Sequence, residues 1–139
     1  MIRGITAGNF DVIHPGYVRM FNDAKENACD HLIIALHVDP TIERPEKSKP
    51  ILSAEERTEV LMSLSAVDEV VYYNTEAELI EVLEKARPHI RILGTDYKGK
   101  KFTGSELSIP IYYHRRDHNW STTRFKNEIT DQVLKQRNM

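Results

Sequence analysis

The sequence predicts an α/β fold: one doubly wound, Rossmann-like domain over residues 1–139, with a five-stranded parallel sheet. Three observations predict it. Short apolar runs alternate along the chain with segments of helical period. Leu32–Leu36 is an unbroken apolar run, as expected for a strand covered on both faces. Two capping boxes, Ser53 with Glu56 and Thr75 with Glu78, open helical segments that follow or precede such runs.

In order, Ile2–Ala7 reads as the first strand. A helix follows from Pro15, well placed for a first turn, to about Ala28, with Tyr17, Val18, Phe21 and Ala24 near helical spacing. His31–Val38 is the second strand. Asp39–Ser53 carries three prolines beside Arg44, Lys47 and Lys49, and reads as a loop too long for a simple connector. The segment from Ser53 to Val67 reads as a helix and Asp68–Tyr73 as the third strand. A helix capped by Thr75 stops before Pro88. Ile90–Gly94 is the fourth strand, Thr95–Ser108 a Gly- and Lys-rich loop, and Ile109–His114 the fifth strand. A helix capped by Ser121 or Thr122 closes the sequence. No internal repeat, low-complexity tract or linker interrupts this order.

Composition narrows the function. The chain has 139 residues, a formal net charge of −2, and 29% charged residues, an ordinary globular balance without the basic surplus of a nucleic-acid binder. Its single cysteine, Cys29, excludes an intrachain disulfide and a Cys-based zinc site, and fits a cytoplasmic location. No apolar run approaches a membrane span. In a parallel α/β sheet, ligands bind beyond the carboxyl ends of the strands, at the switch in strand order. That rule gathers Gly8–Tyr17, Asp39–Ser53, Gly94–Ser105 and Arg115–Thr123 around one crevice.

The stretch Gly8–Tyr17, "GNFDVIHPGY", joins the first strand to a helix N-terminus, where unpaired N–H groups and the helix dipole attract phosphate. His14 can donate to a phosphate oxygen there, and Gly16 leaves room for close approach of a nucleotide. Asp11 can either hold a hydrated Mg²⁺ or fix the loop by hydrogen bonding.

These residues resemble the G-x-F-D-x-x-H-x-G-H signature of the nucleotidyltransferase α/β-phosphodiesterase superfamily, with the last histidine replaced by Tyr17. "WSTTRFKNEI" near the C-terminus resembles the I-S-T-T motif of its cytidylyltransferase branch. "RTEVLMSLSAVDEVV" and "ILGTDYKGK" look like glycerol-3-phosphate cytidylyltransferases, in the same order. The resemblance implies transfer of CMP from CTP to a small phosphorylated acceptor such as glycerol 3-phosphate, with Mg²⁺ as cofactor and release of pyrophosphate. It also implies a homodimer. ATP with a sugar phosphate or FMN is the alternative, as is a weakly catalytic nucleotide-binding module.

Residue by residue, the resemblance assigns His14 to the α-phosphate and Gly8, Asn9, Phe10, Asp11 and Gly16 to the nucleotide loop. Ser121, Thr122 and Thr123 would hold the outer phosphates, with Arg116 just ahead of them. Lys47 would reach the triphosphate, and Arg57 and Lys49 the acceptor. Gly94 and Asp96, with Tyr97 and Lys98, would shape the nucleotide pocket. Three departures stand out. Tyr17 cannot become a cation near neutral pH, and His37, His114 and His118 are candidate replacements. Ser65 lies where glycerol-3-phosphate enzymes often carry a basic residue. Trp120 stands where isoleucine is common, either stacking beside the nucleotide or packing in the core.

Overall fold

The computed structural model describes residues 1–138. Five strands, β1 (Arg3–Gly8), β2 (His31–His37), β3 (Glu69–Tyr73), β4 (Ile90–Gly94) and β5 (Ile111–His114), form one sheet in the order β3-β2-β1-β4-β5. Every neighbouring pair is parallel, as the alternation of strands and helices requires. The helices are α1 (Pro15–Asn27), α2 (Ala54–Met62), α3 (Glu76–Ala86) and α4 (Thr122–Arg137). Among the described residues, no helix is long and apolar enough to cross a membrane.

The apolar run in β2 explains the two layers. Leu32, Ile34 and Leu36 point to one face and pack with Phe21, Leu61 and Ile92. Ile33 and Ala35 point to the other and pack with Ile5, Tyr73, Leu79 and Leu83. Alternate residues of a strand face opposite ways, so a strand buried on both sides has to be apolar throughout.

One capping box is complete and the other half formed, with the Glu78 carboxylate accepting from Asn74 N–H instead of Thr75 N–H. Ser53 and Glu56 make both bonds of the capping box, and the Thr75 hydroxyl accepts from Glu78 N–H. Helix α2 is shorter than the sequence suggests: it ends at Met62, where Ser63 turns its hydroxyl onto the Val60 carbonyl. Strand β5 starts later than expected, after Pro110, which has no N–H to give the ladder. At the end of α3, Arg87 adopts the left-handed conformation with φ of 46°.

Strand order reverses direction at β1, with β2 on one side and β4 on the other. The carboxyl ends of β1 and β4 therefore open the crevice, between the loop leading to α1 and Gly94.

Candidate active site

A cleft of about 920 Å³ lies over the carboxyl ends of the strands. His14 stands at one end of it as the N-cap of α1. Its Nδ1 accepts the Gly16 N–H at 3.1 Å. A nitrogen that accepts cannot carry a proton, so the ring is neutral with its proton on Nε2. That Nε2 is buried and has no protein partner, while the residue lines the cleft. Burial, the Arg116 charge and His118 all hold the His14 pKa below the usual imidazole value. The ring is clamped between Tyr17, stacked at 4.2 Å between centroids, and Trp120 at 5.7 Å.

Gly16 is needed for this packing. A Cβ there would lie 2.8 Å from His14 Cε1 and 2.9 Å from His118 Cε1, inside any normal contact.

The Tyr17 hydroxyl is 2.9 Å from Thr122 Oγ1, so the start of α1 is joined directly to the start of α4. Two helix N-termini therefore meet at one end of the cleft. Ser121 is the N-cap of α4, its hydroxyl accepting from Arg124 N–H. The N–H groups of Thr122 and Thr123 have no partner within the helix and line the cleft with Ser121. Arg116 adds a guanidinium fixed to the Trp120 carbonyl at 2.7 Å. A dense anion fits this end, because amide dipoles, an imidazole N–H and a cation converge on it. Tyr17→Phe should lower stability by about 1 kcal/mol through loss of the bond to Thr122 while keeping the stack, as thermal denaturation would measure.

The other end of the cleft is built by Arg91, Tyr73, Thr103 and the Arg44–Lys47 segment. Arg91 is buried on β4. Its Nη1 donates to the Thr103 carbonyl, its guanidinium lies 5.0 Å over the Phe102 ring, and its Nε is unpartnered. Burial pushes the neighbouring Tyr73 phenol up to about 12, so it stays a neutral O–H donor. Sequence reasoning missed Arg91. Its signal was one charge inside the otherwise apolar strand "IRILG".

The family description "Cytidylyltransferase-like" matches residues 5–131. The chain belongs to this family. Bifunctional HldE proteins are similar across the cytidylyltransferase-like domain. That of Bradyrhizobium sp. is 36% identical over 75% of this chain and 21% of its own length, and that of Caulobacter vibrioides 36% over 76% and 22%. The chain thus spans about a fifth of the length of these relatives. The crystal structure of a lipopolysaccharide core biosynthesis protein from Thermoplasma volcanium shares the fold, with TM-score 0.70 and 24% identity over 85% of this chain and 99% of that one.

Within the cytidylyltransferase-like domain, most predicted site residues reach the cleft. Gly8, Asn9, Phe10, His14, Gly16 and Tyr17 line it from the first loop, with Gly94, Asp96 and Tyr97 after β4. Lys47, Arg116, Ser121, Thr122 and Thr123 join them from the remaining loops. Phe10 is also a core residue, 3% exposed, and holds φ at 45°, a left-handed conformation that is strained for a bulky side chain.

Four assignments need correction. Asp11 was expected to line the nucleotide loop and either to hold Mg²⁺ or to fix the loop by hydrogen bonding; it is 4% exposed and absent from the cleft lining, and takes the second role. Its two oxygens accept from Ile51 N–H, Leu52 N–H and Lys126 Nζ at 2.8–2.9 Å, so both are engaged within the protein. Among the described residues, no group of three or more His, Cys, Asp or Glu side chains could hold a metal ion. Asp11 instead fastens the first loop to the second and to α4.

Burial pushes the Asp11 pKa up, but the Leu52 and Ile51 amides and Lys126 outweigh it and leave the carboxyl below its ordinary value. Its stabilisation is therefore complete above the unfolded pKa, about 3.9, and is lost as pH falls through the lower folded value. Asp11→Asn should cost about 2 kcal/mol in urea denaturation at neutral pH, because one amide edge must face donors.

Arg57 was expected to bind the acceptor. It is 2% exposed and outside the cleft, and donates to five backbone carbonyls, of Asn9, His37, Val38, Leu52 and Ser53. Lys49 is exposed and also outside the cleft, beside Asp39, whose carboxyl it helps hold low after the Thr41 hydroxyl and amide. Lys98 lies outside the cleft too, over the Tyr113 ring at 5.8 Å. Trp120 takes neither of its two expected roles alone: it walls His14 and packs edge-on to Phe125.

Proposed function

We propose that this cytidylyltransferase-like domain transfers a nucleoside monophosphate from a nucleoside triphosphate to a small phosphorylated acceptor. CTP and a glycerol-phosphate-like acceptor are the first reading. The observation that carries it is the unpaired, buried Nε2–H of His14 at the junction of two helix N-termini. An oxygen of the acceptor phosphate forms a bond to the α-phosphorus, and the bond from that phosphorus to the bridging oxygen breaks. The electron pair leaves with pyrophosphate. His14 Nε2–H donates to a non-bridging oxygen as charge builds there, and the Thr122 and Thr123 amides with Arg116 hold the departing phosphates. No protein group becomes covalently attached. Mg²⁺ enters with the triphosphate as part of the substrate.

The acceptor lies toward Arg91 and Lys47 in this reading. Arg91 is a buried cation with a free Nε–H, suited to an anionic group, and Tyr73 adds a neutral donor. The alternative keeps the chemistry and exchanges the substrates for ATP and a sugar phosphate. The 36% identity to bifunctional HldE proteins is the reason to carry this second reading beside the first. A homodimer and a cytoplasmic location belong to the same proposal. Sedimentation tests the former and fractionation the latter.

Calorimetric titration with CTP and ATP, then pyrophosphate release over glycerol phosphate, sugar phosphates and FMN, tests the function and separates the two readings. Binding of one nucleotide with acceptor-dependent pyrophosphate release is the expected result. Absence of binding for both nucleotides at millimolar concentration would sink the proposal.

A further inference from the structure

We infer that His118 is the second phosphate-binding imidazole of the site, supplied from the loop before α4 in place of the histidine that Tyr17 displaces. The inference rests on the proposed binding of a nucleoside triphosphate, and it identifies a group at that same end of the cleft.

His118 repeats the bonding pattern of His14. Its Nδ1 accepts the Trp120 N–H at 3.2 Å, just as His14 Nδ1 accepts the Gly16 N–H. Each ring is thereby fixed as the neutral tautomer with the proton on Nε2. Each Nε2 is buried without a partner, and both residues line the cleft. The two rings also share a location, because a Cβ on Gly16 would touch the Cε1 of both. A buried N–H with nothing to donate to is costly, so two of them on neighbouring rings of one cleft ask for an acceptor. Phosphate oxygens are acceptors only, and Arg116 and the α4 amides already favour an anion there.

Of the other two candidates, His37 has its Nε2 engaged, and His114, whose Nε2 is likewise buried without a partner, presents a lone pair there. His37 Nε2 is 3.0 Å from the Asn74 carbonyl, which accepts and so takes its proton. His114 Nδ1 is 2.7 Å from the Asp23 carboxylate and donates to it. In the neutral ring its free Nε2 is then a lone pair, which would face a phosphate oxygen with repulsion. Tyr17 brings no imidazole, and its hydroxyl is tied to Thr122 Oγ1 at 2.9 Å. Its ring instead supports His14 from one side. The imidazole lost from α1 is thus replaced by one on the neighbouring loop, while the tyrosine ties the two segments together.

Inorganic tripolyphosphate is the probe, because it carries the phosphate chemistry without a base. On its addition, the ring Nε2 resonances of both His14 and His118 should shift in ¹⁵N-detected imidazole spectra. His118→Ala should weaken tripolyphosphate and CTP or ATP binding roughly ten- to a hundredfold, as expected for loss of a hydrogen bond to an anion. Circular dichroism and the thermal midpoint should match the parent protein. Adding Tyr17→His to His118→Ala should recover part of the lost affinity. A His118 resonance that stays fixed, or parental affinity in a folded His118→Ala protein, overturns the assignment. Failure of pyrophosphate release with every acceptor would count against the proposed function alone, since tripolyphosphate reads the imidazoles independently of turnover.

Discussion

His14→Ala is expected to lower turnover by about 10²- to 10³-fold, the effect of removing one preorganised donor from a developing oxyanion. Nucleotide binding should fall less, by about tenfold, the loss of one hydrogen bond to an anion. The asymmetry follows from the geometry. The ring is held by the Gly16 amide and two aromatic faces, so little reorganisation is required when charge builds at the α-phosphate. Single-turnover rates beside calorimetric affinities measure both effects. Equal losses in rate and affinity would show that His14 binds the ground state only. Titration adds a second check. The folded His14 pKa lies below its unfolded value of about 6.5. Its contribution to stability is therefore complete above about pH 6.5 and is lost as pH falls through the lower folded value.

Arg57→Met should destabilise the domain by about 3–5 kcal/mol, because a nearly isosteric chain replaces a buried guanidinium that gathers five backbone carbonyls. These carbonyls come from three segments: the loop after β1, the end of β2 and its exit, and the entry to α2. The Asn9 carbonyl bond to Arg57 sits next to the strained Phe10. Urea denaturation at constant slope measures the loss. An unchanged midpoint with a raised acceptor KM would restore Arg57 to the acceptor role that the structure removes.

The sheet was legible because its signals are local and redundant. A strand covered on both faces has to read as Leu32–Leu36 does, and a capped helix start has to offer a Ser53 or Thr75 hydroxyl to the third residue. The element ends were less legible. Ser63 ends α2 by bonding backward to Val60, a choice that a serine in "LMSLSAV" does not announce. Within the cleft, the same limit applied to charge. Asp11, Arg57 and Arg91 are all ionic residues in loop-proximal segments, and only three-dimensional packing decides which carbonyl, amide or ligand each one meets. Arg57 was assigned to the acceptor by the resemblance, yet it turns inward and donates to five backbone carbonyls. The missing histidine at position 17 was visible at once. That His118 shares the tautomer of His14 depended on a backbone amide at Trp120, which no residue type encodes.

No residue of α4 is buried. Its side-chain bonds to the rest of the domain come from its first turn and a half: Thr122 to Tyr17 and Lys126 to Asp11, with Phe125 edge-on to His14. An element fastened so near one end is the natural unit for local unfolding, with an opening free energy well under that of the sheet. The same end supplies the Ser121–Thr123 anion cradle, so a triphosphate that bridges α1 and α4 adds its binding free energy to the cost of that opening. Amide-exchange protection along α4 thereby becomes a gauge of site occupancy, read tens of ångströms of helix path away from any phosphate.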